Sequence, residues 1–143
     1  MKKIAIIILT SVSVMVPVLA QQSAQDEPRV RFSPLHIYID SGSRSLAAYQ
    51  FELKATAGQI KIVGVEGGEH KAFNEAPYYD PAALAKSRII IAAFNTGDDL
   101  PKGRTRVATI HLQIIGETKP EYKLKLTIAA DANGNEIPAK ISY

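Results

Sequence analysis

From Leu35 onward the chain reads as one short alternating segment after another. Leu35, Ile37 and Ile39 alternate with His36 and Tyr38. Between Leu46 and Lys54, Ala47, Tyr49, Phe51 and Leu53 alternate with Ala48, Gln50, Glu52 and Lys54. Between Thr105 and Ile115, Ala108, Ile110, Leu112 and Ile114 point one way, and Val107, Thr109, His111 and Gln113 the other. Leu124, Leu126 and Ile128 alternate with Lys123, Lys125 and Thr127, and Ile137, Ala139 and Ile141 follow with the same spacing. Side chains on a strand change face at every residue, so each of these patterns predicts a half-buried strand.

Two segments depart from simple alternation. Ile60 to Val65 is a strand of open register, because Ile62 and Val63 are both apolar; Gly67-Gly68 ends it. Ile89 to Phe94 is apolar at every position, which predicts a strand covered on both faces. Turn-forming residues separate the strands: Ser41 to Ser45, Thr56 to Gln59, Thr96 to Gly103, Gly116 to Pro120 and Asp131 to Asn135. Glu69 to Ser87 is a long irregular excursion. Within it, Asp80 as N-cap and Pro81 at the first helical position predict one short helix through Lys86. Strands do not alternate with helices, so a parallel sheet is not expected. The expected fold is all-β, a single antiparallel β-sandwich of about seven to nine strands with one short helix.

The start of the chain has a different pattern. Lys2 and Lys3 precede a mostly apolar run from Ile4 to Val16, followed by Pro17 and Val18-Leu19-Ala20. That run is too short to span a bilayer comfortably, and small residues stand at the cleavage position. Residues 1–20 are read as a secretory signal peptide, 21–29 as a flexible leader, and 30–143 as one sandwich domain. The exported product is expected in the periplasm or the extracellular space. The net charge of +3 includes Lys2 and Lys3, so the remainder is nearly neutral, without the concentrated basic patch that nucleic acid requires. No second long apolar stretch follows, so no membrane insertion is expected once the signal is removed. There is no cysteine, hence no disulfide and no thiolate ligand, and the core alone must hold the domain.

The order of segments resembles a cohesin-type domain, within the superfamily of β-sandwich carbohydrate-binding and cohesin modules. The resemblance runs from Pro34 to about Ile141. It lies in Leu46 to Leu53, Ile60 to Val65, Ile89 to Phe94, Leu100-Pro101-Lys102-Gly103, Arg106 to Ile110 and Ala130 to Gly134, in that order. It implies a nine-stranded, jelly-roll-like sandwich that works by binding, with one sheet face as the partner surface. Cohesins hold dockerin modules on enzymes of polysaccharide degradation. On the strand matching Leu46 to Leu53, dockerin-binding members often carry an asparagine and an aspartate two residues apart. Those positions are Ala48 and Gln50 here, so that polar pair is absent.

Candidate chemistry is sparse. Tyr78 and Tyr79, between Pro77 and Asp80, could stack on a sugar ring or anchor a protein contact; equally, one could pack the loop while the other stays exposed. Asp131, Asn133 and Asn135 have the first spacings of a calcium loop, but Glu136 and Ser142 stand where it needs glycine and glutamate, so a turn is expected. Asp98 and Asp99 suit a turn better than an acid–base pair. His36, His70 and His111 lack zinc-site spacing. No Gly-x-Ser-x-Gly elbow and no cysteine nucleophile is present; with the candidates above read as turns and surface side chains, no enzyme, metal or cofactor is expected. The leading expectation is a protein–protein module using Ala48, Gln50 and Glu52, with Ala129 also read as an outward small residue. A carbohydrate-binding module using Tyr78 and Tyr79 is the alternative, and a structural subunit of an envelope assembly the third.

Overall fold

The computed structural model describes residues 26–143. Residues 1–20, read above as a signal peptide, and most of 21–29, read as a leader, lie outside the described residues. Eight strands follow in order: β1 (Val30–Asp40), β2 (Ala48–Ala57), β3 (Gln59–Gly67), β4 (Tyr78–Tyr79), β5 (Arg88–Phe94), β6 (Arg104–Ile115), β7 (Glu121–Ala130) and β8 (Lys140–Ser142). They form two four-stranded antiparallel sheets, ordered β3-β6-β1-β8 and β4-β5-β2-β7. The chain passes repeatedly from one sheet to the other, which gives the sandwich its jelly-roll-like topology. Among the described residues, eight strands stand where the cohesin resemblance implies nine. The short helix expected after Asp80 is a single 3₁₀ turn, Pro81–Ala83, with Asp80 accepting a hydrogen bond from the Ala82 N–H as its cap. Only the capping chemistry was strong there; Lys86 and Ser87 instead run alongside neighbouring strands through their carbonyls, to the N–H groups of Ile62 and Ala55.

The core lies between the sheets. Tyr49, Phe51, Leu53, Ile89 and Ile91 from one sheet meet Ile37, Ile39, Ile62, Ile110 and Leu112 from the other. The alternation of β2 predicts its inward set correctly. So does that of β6 from Ala108 to Ile114.

Four bulges account for most of the departures from simple alternation. On β6, Val107 is the extra residue opposite β1, where Ile37 pairs with Ala108 and Tyr38 with Arg106. Val107 is therefore buried beside Ala108 instead of facing outward. On β3, Val63 is extra between Ile62 and Gly64, so Ile60, Ile62 and Val65 all point inward and Val63 does not. This resolves the open register. On β7, Thr127 is extra opposite Gln50 and Phe51, which turns Ile128 outward and Ala129 inward. On β2, Thr56 is extra between Ala55 and Ala57. A bulge adds one residue to one strand and so exchanges the faces of everything beyond it.

The expectation for Ile89 to Phe94 fails in one respect. Ile89 and Ile91 are buried, but Ile90 and Phe94 face solvent. A two-layer sandwich has no third layer to cover them.

Candidate functional site

The outer face of the second sheet is built by strand register. Gln50 on β2 stands between Ala92 of β5 and Ile128 of β7, and Ala92 is paired in turn with Tyr78 of β4. The next row toward the β2 N-terminus is Phe94, Ala48 and Ala130. On the other side comes Ile90, Glu52 and Lys125, and then Arg88, Lys54 and Lys123. The face thus brings Ala48, Gln50, Glu52 and Tyr78 onto one surface. Tyr79 is not part of it, because adjacent strand residues take opposite faces: Tyr79 packs against the core. Ala129 is also excluded, being buried after the Thr127 bulge; Ala130 takes its place.

Tyr78 and Phe94 are the most prominent side chains here. They are 69% and 66% exposed, and their rings lie nearly parallel, 12° apart with centroids at 6.1 Å. The loop that delivers Tyr78 is held from several sides. The His70 Nδ1 accepts from the Ala72 N–H, and the Asn95 side-chain amide donates to the Ala72 carbonyl. The Gly68 N–H donates to the Phe73 carbonyl, while the Phe73 ring meets Tyr49 edge-on at 5.2 Å. A Cβ on Gly68 would run into the Arg106 carbonyl, and one on Gly67 into the backbone of Asn74 and Glu75. These two glycines are legible in sequence only as a strand end; Gly68 lets the chain lie this close to β6, and Gly67 lets the loop fold back onto the end of β3. Lys71 reaches across to Asp99 at 2.7 Å and holds its carboxyl below the usual range.

Polar contacts complete the face. Gln50 donates to the Thr127 hydroxyl at 3.2 Å, and that hydroxyl donates to the Gln50 carbonyl at 3.0 Å. Arg88 donates to Glu52 at 2.8 Å, and this hydrogen bond, with the nearby Lys125 and Lys54, keeps the Glu52 carboxyl ionised below its ordinary range. Beside Tyr78 and Phe94 opens a cleft of about 440 Å³ lined by Lys71, Asn74, Glu75 and Asn95 among others.

The remaining candidates are engaged elsewhere. Asp131 accepts from the N–H groups of Asn133 and Asn135, both at 2.9 Å, and so closes the turn after β7. Asp98 and Asp99 lie in the loop between β5 and β6. His36 and His111 face outward on the first sheet. His36 meets the Thr109 hydroxyl at 3.1 Å, and His111 Nε2 lies 3.1 Å from a Glu66 carboxylate oxygen, out of line for a hydrogen bond. Among the described residues, no three His, Asp or Glu side chains gather as metal ligands, and no helix is long and apolar enough to cross a membrane.

Alternation alone does not mark Phe94, Ile90 and Ile128 as surface residues. The signal for the first two was available: a two-sheet fold must expose one face of a wholly apolar strand. Ile128 carried none, because nothing in Leu126-Thr127-Ile128 marks a bulge.

The chain matches no protein-family model. Neither known curated proteins nor solved structures gave a significant match.

Proposed function

We propose that this protein is an exported, non-catalytic binding module, cohesin-like in its use of a sheet face, whose partner is another exported protein. The observation that carries the reading is the outer face of the second sheet. Ile90, Phe94, Tyr78 and Ile128 stand exposed around the small residues Ala48, Ala92 and Ala130. A contiguous apolar surface rimmed by polar groups marks an interaction site. Small central residues favour a flat contact, with aromatic side chains as its anchors. The middle of the opposite outer face carries His36, His111 and Glu66 with a single exposed apolar side chain, Val63, on edge strand β3, and its exposed Val30 and Phe32 sit at one end.

The test is capture of exported proteins from the source organism on the immobilised protein. The expected outcome is one enriched protein, retained by the parent chain and lost from a folded Phe94→Ser/Ile128→Ser variant. Equal retention by that variant would show that the partner binds elsewhere.

A second reading is favoured by the Tyr78–Phe94 pair beside its polar cleft, an arrangement suited to a sugar ring with hydrogen-bonding groups around it. In that case Tyr78→Ala with Phe94→Ala abolishes retention on polysaccharide, while Ile128→Ser leaves it intact.

A further inference from the structure

Three cations stand abreast on the proposed binding face. Lys54 is paired in register with Arg88 on one side and Lys123 on the other, and Lys125 stands in the next row, opposite Glu52. Like charges directly opposite one another destabilise a sheet, so folding alone gives no reason for this row. Lysine on an edge strand discourages edge-to-edge pairing, which accounts for Lys123 and Lys125 on β7. It does not account for Lys54, which lies on β2 between β5 and β7. Within the fold the charge is neutralised only in part, by Glu52, which bonds Arg88 and lies near Lys54 and Lys125. Glu121 lies beyond Lys123 at the start of β7. Among the described residues, no carboxylate comes within ion-pair distance of Lys54, Lys123 or Lys125. The face is therefore polarised along its strands, cationic at the Lys54 end and apolar at the Phe94 end. The separation is six residues of β2, or about 20 Å at strand spacing.

Resting on the binding face proposed above, we infer that the partner is an acidic protein, one that sets carboxylates over Lys54, Lys123 and Lys125 and apolar side chains over Phe94 and Ile128. A second copy of this chain does not fit. Laid over the whole face, it sets the cation row against itself or against apolar side chains. An acidic polysaccharide would meet the cations and could stack one ring on Tyr78 and Phe94, but the aliphatic Ile90 and Ile128, which complete the apolar surface, offer its other rings no stacking surface. Charge complementarity of this kind steers encounter and selects partners more than it adds raw affinity.

The inference is tested with three probes on the full chain, followed by amide chemical shifts: a peptide of alternating Leu and Glu, the same peptide with Gln for Glu, and polygalacturonate. The Leu-Glu peptide is expected to bind with shifts along β2, β5 and β7. Lys54→Gln with Lys123→Gln, or the Gln peptide, is expected to weaken binding by about fivefold to tenfold, the scale of a few exposed ion pairs. High salt is expected to weaken it similarly. Failure of the Leu-Glu peptide to bind, or equal binding of the Gln peptide or tighter binding of polygalacturonate, overturns the acidic-protein inference. The captured natural partner separates the two levels. If it is lost with Phe94→Ser/Ile128→Ser but retained fully with Lys54→Gln/Lys123→Gln and at high salt, the face stands and the acidic partner falls. If the apolar variant retains it, the face itself is wrong.

Discussion

A single buried side chain ties the two layers together by a hydrogen bond to backbone. Tyr49 is buried, and its hydroxyl crosses the core to donate to the carbonyl of Val107, the bulged residue of β6, at 3.0 Å. Burial pushes the phenol above its usual range, so it remains a donor at neutral pH. Tyr49→Phe removes that buried hydrogen bond and is expected to lower stability by about 0.5–1.5 kcal/mol, read from urea denaturation. Asp131 acts at the surface. Hydrogen bonds from the backbone N–H and side chain of Asn135, with one from the Asn133 backbone, lower its carboxyl below the ordinary range. A lowered carboxyl contributes stability above its unfolded pKa of about 4 and loses it as pH falls through the folded value. Asp131→Ala should therefore reduce the denaturation midpoint at pH 7, with the gap to the parent narrowing as pH falls below about 4. The inward position of Tyr49 was legible from alternation. Its partner was not, because Val107 appeared to belong to the other face.

At the scale of elements, periodicity read well wherever a strand kept its beat. β2 and the second half of β6 follow the sequence pattern, and Leu124 and Leu126 on β7 face the core side as expected. Beyond a bulge the same pattern misleads, as with Ile128 and Ala129. The bulged residues here are Thr56, Val63, Val107 and Thr127, none of them a glycine that would have signalled a break. The loop from Gly67 to Pro77 follows a different logic, being placed by close backbone approach. Gly68→Ala sets a methyl against the Arg106 carbonyl, and the required shift is expected to cost about 1–3 kcal/mol, as overpacking does. Because this loop leads into β4, the same variant should broaden or displace the resonances of Tyr78. A stability loss without any change at Tyr78 would show that the loop does not position the candidate site.

For the whole molecule, the all-β sandwich was legible because strand runs and turn clusters follow one another without helical intervals. The candidate face was half legible. Ala48, Gln50 and Glu52 could be placed outward from β2 alone, whereas assembling them with Tyr78, Phe94 and Ile128 required the order of strands in the sheet, which no local pattern encodes. That same order makes most pairings distant in sequence, β1 with β6 and β2 with β7 among them. Non-local pairing slows folding, so refolding by stopped-flow dilution is expected on a time scale of about milliseconds to seconds. The bulges have a consequence for how such a chain can change over generations. Removing Thr127 would leave Leu126 and Ala129 inward with Ile128 between them outward; removing Val63 would do the same for Ile62, Gly64 and Val65. At these points the gene can lose a codon without turning a strand inside out, whereas the loss of one from an unbroken stretch such as Leu112 to Ile114 would invert every side chain beyond it.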